Sequence, residues 1–407
     1  MTQKPLKIAV IGHKRIPSRE GGLEKTVEEQ TRRLLRRYGE EFEFVLYNRG
    51  GHNVFGEQYD RTAVKQYHGM RVVTMPAFRG SAEVPLYSLF ATLHAVFTGC
   101  EVIYYHASGP CVMIRLAKLF GKKTVAMLHG IDSERDKWSG FAAWYLRQGE
   151  RTAARLADVC LVLSDHMQEE LKQAYGRTPD IIHNGMTVRD SEDRDSEDRE
   201  TLGRFGLLEE GYFLTVVRIV PEKGLHYLIP AFRKLTTDKK LVIAGGAEKR
   251  CEPYLNRLKA LAGDDPRIVF TGFLGGRELQ VLYRHAYAFV LASTLEGMAN
   301  ALLEAMAAGL CCLVSDIPEN REVAGRTGAC FRSRDVKSLR QALQLLLEDP
   351  EGVRRKGEAA RELVRERYSW DSCVEQLAEI FRGLGADKKP GGQQRALRPE
   401  RSKESEG

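Results

Sequence analysis

Two carboxylates, Glu296 and Glu304, stand eight positions apart in the stretch Glu296-Gly297-Met298-Ala299-Asn300-Ala301-Leu302-Leu303-Glu304. An apolar run over 286–292 precedes them. Good helix formers follow from Asn300, read here as an N-cap, to a stop at Gly309. Glu296 then lies on a strand-to-helix loop and Glu304 one turn into the helix. Both can face one ligand at the helix N-terminus, where free amides and the helix dipole favour phosphate. The competing reading is a solvated acidic pair flanking a core helix. A second string, Val217-Arg218-Ile219-Val220-Pro221-Glu222-Lys223-Gly224-Leu225, places Arg218 after an apolar strand and Lys223 at the next helix start. They are either two cations poised for a leaving diphosphate or two isolated surface charges. Near the N-terminus, Gly21 and Gly22 let backbone amides approach a phosphate, or they form an ordinary turn. Their spacing does not fit G-x-G-x-x-G. His129 closes a strand in Leu128-His129-Gly130 and reads as either a structural or a ligand-contacting imidazole; His106 closes the strand before it.

These residues need strand ends to hold them, and the chain supplies two series of them. Apolar runs over 8–11, 44–47, 71–75, 102–106, 124–128 and 159–163 alternate with helical stretches such as 23–37, 86–97, 112–120 and 141–156. A second series, 213–217, 241–244, 268–271, 287–291 and 312–315, alternates with helices over 225–235, 253–261, 277–283 and 301–308. Continuous apolar strands separated by helices form parallel sheets covered on both faces. Two series predict an α/β chain of two doubly wound domains, in keeping with 407 residues. Such sheets bind ligands outside the carboxyl ends of their strands, so two of them facing each other make a cleft.

The predicted boundaries are a first domain over 1–188, a charged linker over 189–200, a second domain over 201–368 closed by a helical run from 336, a helix over 369–384 and a disordered polar tail from 385. The linker carries Asp190-Ser191-Glu192-Asp193-Arg194 repeated at once as 195–199; with no apolar residue it reads as exposed. Asp193 and Asp195 space as D-x-D but lie in this repeat, so no metal site is assigned. Eight scattered cysteines without C-x-x-C read as reduced thiols in a cytoplasmic protein. No secretory leader and no membrane-length apolar run is visible. The net charge of +7 is modest, and no nucleic-acid motif accompanies it. Arg32, Arg33, Arg36 and Arg37 crowd one helix, as a solvated face or a contact with anionic membrane.

The Glu296–Glu304 string resembles the E-x7-E element of retaining glycosyltransferases of the GT-B fold, family 4. The 217–225 string resembles that family's G-R-x-x-x-x-K-G element, with Val217 in place of the usual glycine. The Gly21-Gly22-Leu23-Glu24 loop resembles its G-G-x-E element, and the N-terminal half is similar to the subgroup that includes rhamnosyltransferases. Ile182-His183-Asn184-Gly185 resembles its P-N-G turn, with His183 for proline. Met298-Ala299 stands where the family often has Phe-Gly.

The resemblance implies two Rossmann-like domains facing an interdomain cleft, with the last helix crossing back to the first domain. It also implies sugar transfer from a nucleotide diphosphate donor to an acceptor hydroxyl with retained configuration, without metal or cofactor, in building a surface polysaccharide or similar glycan. Arg218 and Lys223 would meet the diphosphate, Glu304 the ribose and Glu296 the donor sugar; His129 would lie under that sugar near the reacting carbon. Gly21, Gly22, Gly272, Gly297, Met298, Ala299 and Asn300 would complete the donor site, with His106 and Ser164 on the acceptor side. A glycan or lipid-linked acceptor is implied, with peripheral placement at the inner membrane face. A nucleotide-sugar epimerase of the same two-domain architecture is the alternative.

Overall fold

The computed structural model describes residues 4–18, 21–51, 64–78, 80–131, 140–188 and 195–386. The first lobe is built on β1 (Leu6–Ile11), β2 (Phe42–Asn48), β3 (Gln66–Tyr67), β4 (Met70–Thr74), β5 (Val102–His106), β6 (Lys123–Met127), β7 (Val159–Val162) and β8 (Asp180–Ile181). They form one sheet in the order β3-β4-β2-β1-β5-β6-β7-β8, parallel except for the β3–β4 pair. The second lobe holds β9 (Tyr212–Val216), β10 (Lys240–Ala244), β11 (Ile268–Gly272), β12 (Ala288–Leu291), β13 (Cys312–Ser315) and β14 (Ala329–Phe331). Their order is β11-β10-β9-β12-β13-β14, all parallel. Burial explains the continuous apolar runs: every residue of β5, β12 and β13 is buried because helices cover both faces.

Each sheet reverses its winding at one place, between β1 and β5 and between β9 and β12. At such a switch point adjacent crossovers leave on opposite faces and open a crevice above the strand ends. The loops after β1, β9 and β12 carry the glycine pair, the cation pair and Glu296 respectively.

The helix Trp370–Ala386 leaves the second lobe and packs on the first. Its apolar stripe, Cys373, Val374, Leu377, Ala378, Phe381 and Leu384, recurs at helical spacing and is buried. Phe381 meets Phe42, Phe44 and Tyr104 with ring centroids 5.9, 6.3 and 5.5 Å apart. Arg382 forks onto Glu41 at 2.7 and 3.0 Å. Deleting a buried phenylalanine of this kind costs about 3–5 kcal/mol, so the strap is a substantial fastening of one lobe to the other.

Several local expectations need correction. The helical run from 336 is present, as two helices, Val336–Glu348 and Pro350–Arg367, because Pro350 cannot continue the first and Asp349 caps the second through Gly352 N at 2.8 Å. The stretch 112–120 opens as a 3₁₀ turn, Pro110–Met113, before the helix Ile114–Leu119. The second pentapeptide copy is helical, within Asp195–Arg204; Ser196, Glu197 and Arg199 are exposed, but Asp198 is buried. Arg277, Arg284 and His285 approach Asp198 within 3.3, 2.5 and 3.2 Å, partners supplied by the helix Gly276–His285 rather than by the repeat itself. The first copy and the tail beyond 386 lie outside the described residues.

The arginine cluster on the helix Gly22–Tyr38 is mostly internal in purpose. Arg32 and Arg33 bind Glu29 at 2.6 and 2.9 Å, Arg33 also reaches Thr187 at 2.9 Å, and Arg37 pairs with Glu375 of the strap at 3.2 Å.

Candidate functional site: a charged cleft between the lobes

The two switch points face each other across a cavity of about 500 Å³. Gly21, Gly22, Lys25 and His129 line it from the first lobe, and Arg218, Lys223, Glu296, Gly297, Met298, Ala299, Asn300 and Glu304 from the second. The size falls in the range of small-molecule sites, roughly 300–1,000 Å³.

The second lobe supplies Arg218 and Lys223 together with the acids Glu222, Glu248, Glu296 and Glu304. After β9 the chain turns through Arg218, which is exposed and whose carbonyl accepts from Val220 N at 2.9 Å. A 3₁₀ turn, Pro221–Lys223, then hands over to the helix Leu225–Arg233 through Gly224 at φ +67°. A Cβ on Gly224 would stand 1.9 Å from the Ala292 carbonyl oxygen, so only glycine lets this turn sit against the end of β12. The turn aims Lys223 Nζ at Glu296 Oε1, 2.5 Å away, with only 16% and 8% of their side chains exposed. This ion pair lies in the cleft wall, so an incoming anion can share the ammonium. Glu304 rises from the helix Asn300–Ala307 and accepts from Tyr283 Oη at 3.0 Å and Lys25 Nζ at 3.2 Å. Tyr283 stays protonated because burial, and then the Glu304 charge, push its phenol well above its ordinary value.

The first lobe supplies Lys14, Lys25, Arg49 and Glu24, with neutral imidazoles beside them. His129, at the end of β6, hydrogen-bonds through Nε2 to Nδ1 of His106 at 2.9 Å, the two rings stacking 5.2 Å apart. Burial lowers His129 to about 4 and holds His106 well below its ordinary value, the latter helped by His129 and His13 beside it. His13 is itself lowered to about 3, chiefly by burial. All three are therefore uncharged near neutral pH, and the cleft's positive charge comes from lysine and arginine.

The lobes touch closely here. A Cβ on Gly297 would lie 1.8 Å from the His129 carbonyl oxygen. Asn300 accepts from Asn184 Nδ2 at 2.9 Å and donates to the Gly22 carbonyl at 3.0 Å. This corrects the expected N-cap: the cap position is Ala299, Asn300 is the first helical residue, and its amide bridges the lobes. Lys14 reaches Glu248 at 3.6 Å, and Glu322 takes the free amides of Asp165 and His166 at 2.8 and 3.2 Å.

Three assigned residues do not line the cavity. Ser164 is buried and caps the helix Asp165–Tyr175 by accepting from Met167 N at 3.2 Å. His106 is wholly buried behind His129, so it acts through that ring. Gly272 ends β11, and the following residues 273–276 line the cavity instead. Conversely, the sequence reading missed Lys25 and Asn184 as cleft residues. Lys25 had one visible signal, a position on the first turn after the Gly21-Gly22 pair; Asn184 was noted only as part of a turn. Gly185, next to it, seats Trp370, whose ring a Cβ would meet at 2.4 Å.

Comparison with known proteins agrees with this geometry. Residues 199–363 match the family described as Glycosyl transferases group 1, and residues 20–189 match Glycosyltransferase Family 4. The chain is 28% identical over 398 residues to a GDP-mannose-dependent alpha-(1-6)-phosphatidylinositol monomannoside mannosyltransferase of Mycolicibacterium smegmatis, covering 90% of this chain and 96% of that one. Among solved structures, Anabaena Alr3699/HepE in complex with UDP and glucose superposes with a TM-score of 0.76 at 19% identity, over 93% of this chain and 99% of that one. Sucrose-phosphate synthase from Thermosynechococcus elongatus superposes with a TM-score of 0.79 at 19% identity, over 95% and 100% of the two chains. Two Rossmann-like lobes, a charged cleft at their switch points and family matches in both halves place this chain among the group 1, family 4 glycosyltransferases of the GT-B fold.

Proposed function

We propose that this glycosyltransferase takes its sugar from a nucleotide diphosphate donor and transfers it with retained anomeric configuration to an acceptor hydroxyl. The observation that carries the reading is the convergence of Arg218, Lys223, Glu296 and Glu304 on one cavity opposite His129. The anomeric carbon–oxygen bond breaks and its electron pair leaves with the diphosphate. The acceptor oxygen bonds to that carbon on the same face, and its proton passes to the leaving phosphate oxygen. Arg218, Lys223 and the amides at the start of the helix Asn300–Ala307 meet the charge that develops on the diphosphate. Glu304 accepts from the ribose hydroxyls, displacing Lys25, and Glu296 from hydroxyls of the sugar. Neither carboxylate serves as a covalent nucleophile, and no metal or cofactor is assigned.

Support for the donor class comes from relatives whose names specify GDP-mannose or which were solved with UDP. The mannosyltransferase relative favours a lipid-linked or glycan acceptor, and with it a cytoplasmic enzyme working at a membrane face in glycan assembly. The epimerase alternative draws no support from these matches. The test is a panel of nucleotide diphosphate sugars, with nucleoside diphosphate release and product configuration followed by NMR. Transfer of one sugar with its anomeric configuration kept is expected. Inversion, or interconversion of the nucleotide sugar without release, overturns the reading.

A further inference from the structure

We propose that Lys25 is the cation for the phosphate next to the ribose: donor binding moves its ammonium from Glu304 to that phosphate. The inference rests on the donor reading above and adds to it a binding residue from the first lobe. In the cleft as it stands, Lys25 Nζ lies 3.2 Å from Glu304 Oε1 across the seam, with 45% and 23% of the two side chains exposed. An ion pair so open to water contributes little to holding the lobes together and exchanges readily. The seam has a separate fastening beside it. Asn300 Nδ2 donates to the Gly22 carbonyl at 3.0 Å and to Thr26 Oγ1 at 3.3 Å, so the two walls keep their register when the ion pair breaks.

Glu304 keeps Tyr283 Oη, a fixed neutral donor from its own lobe, and Lys25 is the partner that leaves. Hydroxyls of a ribose replace the ammonium on the carboxylate. The displaced cation then needs an anion, and its own helix offers none that is unengaged. Glu24 is buried and accepts from Lys14 N at 2.9 Å. Glu28, one turn on, accepts from Tyr67 at 2.7 Å, and Glu29 is held by Arg32 and Arg33. Lys25 N donates to the Gly21 carbonyl at 3.2 Å, which roots the side chain in the first turn of the helix Gly22–Tyr38. Gly21, Gly22 and Leu23 of that turn line the cavity, so a phosphate settled on their amides lies within reach of the flexible four-carbon stem of Lys25. The phosphate joined to C5′ of the ribose is the one nearest Glu304. A nucleotide thus satisfies both members of the pair at once, with hydroxyls on the carboxylate and phosphate on the ammonium. A nucleoside meets only the first and pyrophosphate only the second, so the pair reads ribose and phosphate together. Lys223, paired with Glu296 in the second lobe, is left for the phosphate further out.

The test is calorimetric titration of the full chain with the nucleoside, monophosphate and diphosphate of uridine, guanosine and adenosine, followed through in the series that the wild type binds most tightly. In the wild type each added phosphate tightens binding. Lys25→Met removes a competitor for Glu304, so nucleoside affinity holds or rises by up to about fivefold. The gain from nucleoside to monophosphate falls by about tenfold, as expected for one hydrogen bond to a charged group. The gain from monophosphate to diphosphate is kept. Lys25→Arg restores the first gain, and Lys223→Ala shows the reverse pattern, losing the second gain and keeping the first. A purely architectural role for Lys25 weakens all three ligands together. That result, or a first gain that survives loss of the ammonium, overturns the proposal and leaves the donor reading standing. A wild type that binds none of the three series overturns both.

Discussion

The two lobes share a winding scheme but divide the chemistry unequally. The second lobe brings Arg218, Lys223, Glu296 and Glu304 to the cleft on short loops and first helical turns. The first brings Lys14, Lys25, Arg49 and Glu24 beside glycine amides and the uncharged His129, with His106 and His13 buried behind it. Both halves carry charge into the cleft: the second sets its two cations among the acids Glu222, Glu248, Glu296 and Glu304, while the first combines cations with a close-fitting strip at His129 and Gly21-Gly22. The difference follows from what each switch point must do. Charge placed at fixed loop ends costs no reorganisation when a leaving group develops charge, and in the first lobe the buried neutral rings behind His129 hold that part of the wall in place.

If that division is right, substitutions in the two lobes should fail differently. The largest effect belongs to Arg218→Ala and Lys223→Ala, each expected to lower turnover by about 10²–10³-fold, with the melting temperature nearly unchanged in the first and lowered in the second, which strands the buried Glu296. Retained turnover in both purified variants would remove the cation assignment. Next comes Gly297→Ala at the seam. Its methyl group cannot coexist with the His129 carbonyl at 1.8 Å, so the lobes must part or His129 must move. Displacements near 1 Å cost up to about 10²-fold in rate; normal activity with an unchanged scattering profile would contradict the tight seam.

A smaller loss is expected of Glu304→Ala, whose nucleotide affinity should fall by roughly tenfold or more, the worth of one charged hydrogen bond. Unchanged affinity by calorimetry would detach Glu304 from the ribose. The smallest effect is thermodynamic and lies in the first lobe. Burial holds folded His13 and His129 at about 3 and 4, against 6.5 ordinarily. Below pH ~6.5 the unfolded chain therefore binds more protons than the folded one. Stability is full above that pH and falls as pH drops toward the folded values. Melting curves from about pH 7.5 to 5 should show this decline, and His13→Gln should flatten it.

The legible part of the molecule is the part where one local pattern carries the answer. Apolar runs and helix stops located the main strands of both sheets, and charged residues after strand ends marked the second lobe's half of the cleft. What stayed hidden depends on partners distant in the chain. Asp198 looked solvent-bound until Arg277, Arg284 and His285 closed on it. Asn300 looked like a cap, but its amide finds Asn184 and Gly22 across the cleft. Ser164 went the other way: a hydroxyl assigned to a ligand is buried and caps a helix through Met167 N. Short edge strands such as β3, β8 and β14 offered two or three residues each, too few for a period to show.

The central claim, that the second lobe cradles a diphosphate, is tested most directly by calorimetric titration of the wild type and Lys223→Ala with matched nucleoside diphosphates and monophosphates. The account predicts that the wild type binds one diphosphate far more tightly than its monophosphate and that the gap largely closes in the variant. Equal affinity for the two in the wild type, or a gap that survives loss of the ammonium, would contradict it.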